Sequence, residues 1–205
     1  MLDKRGRTRH IARAMTRFLS TRWIAALALL LPLPALAQEV PANSVRCVEQ
    51  ALSSEDREIA LVLMFVRYGD TGEDRANWMR GMMVAERLLS EARNRCRTAH
   101  RWTLARAGIA RDYAFHSLSV EAMGQLVEAE GTRRAAPIEA YFGSNRASLT
   151  RKAERSAEQD RAFIDYLAEQ GWDRENDSEL RLARSYLDTL VKLEMDRRKF
   201  AATTR

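Results

Sequence analysis

The sequence predicts an all-α fold, a single-domain helical bundle of five or six helices. Three observations lead there. Apolar residues recur at three- and four-residue spacing along most of the chain beyond residue 52, and no stretch alternates as a half-buried strand does. Gly69, Gly131, Gly143 and Gly171 each follow such a segment, where a left-handed backbone would end a helix. Residues 38–205 have the length of one domain and enough apolar content for a core.

The elements follow in order. A short helix over 44–52 carries Cys47. The first long helix starts at Ser53, whose hydroxyl can cap a first turn rich in acids, and runs to Tyr68. Its centre, Ile59 to Val66, is apolar on every side and suits a central helix. The second spans 73–97 with Trp78, Met82, Ala85, Leu89, Ala92 and Cys96 near one face. The third spans 98–130 with a stripe of Trp102, Ala105, Ile109, Tyr113, His116, Val120, Met123 and Val127. Pro137 suits a first turn, so 137–142 reads as a short helix ending at Gly143. A long helix over 145–170 and a last one over 177–200 are joined by a short polar loop, which makes them an antiparallel pair. Trp172 after Gly171 offers the apolar contact of a Schellman ending.

The first 37 residues read as a secretory signal peptide. Seven basic side chains lie between Lys4 and Arg22, an apolar run follows from Trp23 to Leu31, and Ala35-Leu36-Ala37 has the small-x-small pattern of a cleavage site. The run is shorter than the roughly 20 residues of a membrane span, so the mature chain is expected to hold no stable transmembrane segment. No Arg-Arg pair precedes it, against a twin-arginine signal. Met15 offers a second start that would leave a signal of more usual length. The expectation is export to the periplasm with cleavage after Ala37. Cys47 and Cys96 would then pair as a disulfide in an oxidising compartment.

Charge excludes one function class. The chain holds 34 basic and 28 acidic side chains, and its first 37 residues account for seven of the bases and one of the acids. The rest is neutral, with 27 of each, so no global attraction to nucleic acid remains. Locally the picture differs. Residues 87–111 carry seven arginines against Glu91 alone. Arg93, Arg97 and Arg101 fall at i, i+4 and i+8, a stripe suited to an anionic partner such as an envelope protein, a polysaccharide or lipid head groups. Matching by the acidic segments 53–74 and 112–130 is the competing account, and the sequence favours it.

The remaining chemistry is sparse. His100 and His116 lack the Glu-x-x-His pattern of di-iron bundles, and no Cys-x-x-Cys-His occurs for haem. Cys96, His100 and Cys47 could supply three metal ligands, but a disulfide competes, so no metal and no cofactor is expected. His116 reads as a core histidine. Met79, Met82 and Met83 beside Trp78 read as core filling rather than a copper site. Asp173, Glu175 and Asp177 open like a calcium loop, but Ser178 and Arg184 replace its diagnostic Gly and Glu. Asn176 or Asp177 is the better reading, as a helix cap. Asp160 and Glu194 lie on apolar stripes, where buried carboxylates could do acid–base work. No nucleophile elbow, zinc-protease motif, P-loop or dinucleotide fingerprint occurs. The sequence therefore points to a non-catalytic binding or assembly module. A helical bundle holding a small ligand or metal is the alternative, with a carboxylate-based enzyme behind it.

Overall fold

The computed structural model describes residues 44–68, 75–129, 135–152 and 154–203. The expected signal peptide, the stops at Gly69 and Gly131 and the side chain of Trp78 lie outside what is described. The described residues form seven helices and no strand: α1 (Cys47–Gln50), α2 (Ser54–Tyr68), α3 (Arg75–His100), α4 (Leu104–Ala129), α5 (Ala135–Leu149), α6 (Ala157–Glu169) and α7 (Asp177–Ala202).

Seven helices match the seven segments read along the sequence and exceed the five or six expected of the bundle, but one break moves from Gly143 to the residues between Leu149 and Ala157. Gly143 does not stop α5, which runs through it to Leu149. There the side chains of Asn145, Ser148 and Thr150 bond back to main-chain carbonyls, and Thr150 Oγ1 donates to the Arg146 carbonyl at 2.7 Å. Such back-bonding competes with continued helix. A new helix then starts at a capping box. The Ser156 hydroxyl accepts from the Gln159 N–H, and the Gln159 side chain accepts from the Ser156 N–H.

Two helix ends share a Schellman geometry. At the end of α6, Gly171 has φ +85° and the Trp172 N–H reaches the Leu167 carbonyl at 3.0 Å. At the end of α3, Arg101 takes the glycine's place with φ +54°, and the Trp102 N–H reaches the Arg97 carbonyl at 3.1 Å. Both tryptophans turn inward and are buried. With no glycine to mark it, this ending was expected at residue 97 and lies three residues later, at His100.

Two apolar clusters form the core, with α4 contributing to both. The first joins α1, α2, α3 and the N-terminal half of α4 around Met64, Leu89, Ala92 and Leu118, with Phe200 of α7. The second joins the C-terminal part of α4 to α5, α6 and α7 around Met123, Ile138, Phe163 and Leu187. The buried stripe of α4 is the expected one only in part: Met123 and Val127 are buried, as is Trp102 just before the helix, but the middle differs. Ala107, Ala110, Ala114, Leu118 and Ala122 are fully buried, while Ile109, Tyr113, His116 and Val120 are half-buried. Small side chains let two helices approach at the crossing, so alanines take the inside and larger residues fill the flanks. Gly81 does the same where α3 meets α2: a Cβ there would lie 2.6 Å from Leu63 Cδ2.

Two further expectations fail here. The centre of α2 is not buried all round, because Ala60 and Met64 face the core and Ile59 and Val62 face solvent. Met79 and Met83 are exposed rather than core filling, while Met82 packs against the core. The inward face of α3 is set by Ala85, Leu89, Ala92 and Cys96, and the 100° step of a helix carries Met79 and Met83 well away from it.

Candidate functional site

The connection between α3 and α4 and the C-terminus of α7 meet at one end of the bundle. The Trp102 ring stacks on His100 and meets Phe200 edge-on, each with centroids 5.1 Å apart. The guanidinium of Arg106 lies 4.0 Å from the Phe200 centroid, and its Nη1 donates to the Thr203 carbonyl. This stack ties the α3–α4 connection to the last turn of α7.

Nearby, α1 is fastened to α3. Cys47 and Cys96 form a disulfide with a Cα–Cα distance of 6.1 Å, and Arg95 Nη2 donates to the Ala51 carbonyl at 2.7 Å. Those cysteines are therefore joined to each other, which removes the ligand set that His100 would have completed. Among the described residues no cluster of three His, Cys, Asp or Glu side chains has metal-binding geometry.

The ion pairs of this end have a consistent direction. Arg46 pairs with Glu49, Arg197 and Arg198 with Glu194, and Lys199 with Asp196. The acid side chains are 9% to 11% exposed, and the bases 48% to 58%. The negative charge thus lies inside and the positive charge outside. Glu194 accepts from Arg197 through both oxygens at 2.8 Å and from Arg198 at 2.9 Å. The hydrogen bonds from Arg197, with those from Arg198, hold its carboxyl at about 2 against the opposing effect of burial. Burial pushes the neighbouring Tyr113 hydroxyl upward, with Glu49 adding to the effect.

The expected arginine stripe is placed in part. Arg93 and Arg97 lie on α3, and Arg93 bonds to the Asn94 side chain at 3.0 Å. Arg101 does not extend the helical stripe, because α3 ends at His100 and Arg101 turns into the left-handed region. Arg97 and Arg101 are exposed, and neither has an ion-pair partner among the described residues. Charge matching does account for the flanks of the basic segment. Arg87 pairs with Glu91 at 3.9 Å, and Arg111 with Asp112 at 2.7 Å and Glu86 at 3.5 Å. Of these acids only Asp112 lies in a segment expected to match the arginines, while Glu86 and Glu91 lie on α3 itself. Leu104, the first residue of α4, follows this segment with 67% of its surface exposed.

The carboxylate candidates do not meet. Glu194 belongs to this end, whereas Asp160 is on α6 beside Arg155 and Arg184. Arg155 is buried between Asp160, 3.2 Å away, and Asp188, to which its Nη1 donates. Arg184 Nε donates to both Asp160 oxygens at 3.2 and 3.1 Å. Glu154, Ser156 and Lys192 complete a polar cleft of about 450 Å³ there. Burial raises the Asp188 carboxyl, against the pull of Arg155 and Lys192. His116 sits elsewhere on α4, with Nδ1 2.7 Å from Oδ2 of the buried Asp196. That makes it a hydrogen-bonded tie between α4 and α7. Asn176 caps α7 by accepting from the Glu179 N–H at 3.3 Å.

Comparison with protein-family models, with curated proteins and with solved structures finds no match for the chain.

Proposed function

We propose that this chain is an exported, non-catalytic binding module whose basic end engages an anionic partner in the periplasm. The observation that carries the reading is the inward placement of Glu49, Glu194 and Asp196 with their bases outside, beside the exposed Arg97 and Arg101. A chain that is neutral beyond residue 37 has thereby gathered positive potential at one end. The signal-like N-terminus and the Cys47–Cys96 disulfide support the compartment. No described helix is long and apolar enough to cross a membrane.

The test is binding to dextran sulfate as a soluble polyanion, followed over a salt series. The expected result is salt-sensitive binding that Arg97→Glu weakens and Arg87→Gln leaves unchanged, since Arg87 already has a partner in Glu91. Equal binding by Arg97→Glu would sink the reading.

A small-ligand module is the second reading, and it rests on the polar cleft around Arg155, Asp188 and Lys192. It ranks lower because Arg155 and Arg184 are already matched there by Asp160 and Asp188.

A further inference from the structure

Charge alone does not distinguish a soluble polyanion from an anionic surface. Leu104 does. Leu104, at the start of α4, is two-thirds exposed and lies three residues after the exposed Arg101. Arg97 and His100 lie in the last turn of α3 and Lys199 in the last turn of α7, so helix dipoles explain part of the basic content. They explain neither Arg101, which lies beyond the helix, nor Leu104. No acid occurs between residues 92 and 111, so nothing in the α3–α4 connection would repel a negative surface. An exposed side chain that prefers hydrocarbon, on the same connection as exposed side chains that prefer phosphate, matches the boundary between lipid head groups and acyl chains.

We infer that this end of the bundle docks on the surface of a bilayer rich in anionic phospholipid, with Arg97, Arg101 and Lys199 at the head groups and Leu104 entering the interfacial layer. This rests on the anion-binding reading above and names its partner. Arg101 is placed for the role by the turn itself. Its left-handed φ ends α3, after which Trp102 is buried in the core and Leu104 is exposed.

The experiment is vesicle flotation of the exported protein, with vesicles of phosphatidylcholine alone and of phosphatidylcholine mixed with phosphatidylglycerol. Dextran sulfate binding is measured in parallel. Binding is expected on the mixed vesicles only, and it should fall with salt. Arg97→Glu and Arg101→Glu should each weaken it by roughly fivefold or more. Leu104→Ser should weaken vesicle binding by roughly fivefold while leaving dextran sulfate binding unchanged. All three positions are exposed, and unchanged thermal transitions would show that the variants fold.

Binding to dextran sulfate without binding to mixed vesicles overturns the lipid assignment and leaves an anionic protein or polysaccharide as partner. Binding to neither overturns the anion-binding reading as well. Equal binding to both kinds of vesicle would point to a retained N-terminal apolar run and overturn the docking surface. Vesicle binding unmoved by Leu104→Ser overturns the insertion.

Discussion

Trp102 meets Phe200 edge-on with ring centroids 5.1 Å apart, and this contact joins the start of α4 to the end of α7. The two residues are far apart in sequence, and both are almost fully buried. The Arg106 guanidinium lies over the Phe200 ring, 4.0 Å from its centroid. The contact closes the first core cluster and holds the α3–α4 connection in the place from which Arg101 and Leu104 project.

Phe200→Ala should therefore lower stability by about 3 kcal/mol, the usual scale for deleting a buried aromatic ring. It should also weaken anion binding, although Phe200 itself carries no charge. Urea denaturation followed by tryptophan fluorescence measures the first effect. Full stability in the variant would mean that the C-terminus of α7 is not held by this ring.

Reduction of the disulfide should cost about 4 kcal/mol on the chain-entropy account, because Cys47 and Cys96 lie 49 residues apart. Part of that loss should be local, as α1 is short and its anchorage depends on Cys47, Val48 and the bond from Arg95 to Ala51. Hydrogen exchange with and without a dithiol reductant would test this. Protection lost evenly across all helices would contradict the local component.

The Glu194 cluster sets an acid limit. Its carboxyl is held at about 2 in the folded chain against an ordinary 4.5. A depressed carboxyl contributes its full stabilisation above its unfolded value and loses it as pH falls through the folded one. The contribution should thus be complete above pH 4.5 and disappear between there and 2. Since Arg197 and Arg198 are half exposed, screening limits it to about 1 kcal/mol. In Glu194→Gln, the stability difference from the parent protein should shrink across that window; a constant difference would show that the pairing has no net worth.

Arg101 offers a test that separates fold from function. An L-residue in the left-handed region is strained, so Arg101→Gly should stabilise by roughly 1 kcal/mol. The same substitution removes a cation from the proposed docking surface and should weaken vesicle binding. Gly171→Ala, at the equivalent position of α6, should destabilise by a similar amount. Thermal melts of the two variants should move in opposite directions.

Much of the helical order was legible in local chemistry. The acidic first turn after Ser53, the cap at Asn176 and the Gly171-Trp172 ending are each decided by neighbouring residues. The break before Ser156 was legible in principle, since Ser156 and Gln159 carry the capping-box spacing, but apolar periodicity on both sides masked it. The middle of the inward face of α4 was misjudged because periodicity weighs residues by hydrophobicity, whereas a close crossing selects by size. Alanine scores poorly on the first criterion and wins on the second.

For the candidate site, the sequence by itself determined the supply: a basic run without acids over residues 92–111, a lone leucine within it and a neutral chain beyond residue 37. Helical type and most helix starts were likewise determined there, because caps and back-bonding are interactions within one turn. Only the tertiary structure decided which charges stay visible. It folded Glu49, Glu194 and Asp196 inward beneath their bases, matched Arg87 and Arg111 to nearby acids, and left Arg97 and Arg101 outside. The physical reason is that net charge is additive along a chain, whereas surface potential depends on which member of each pair reaches solvent. That choice is made by helix packing.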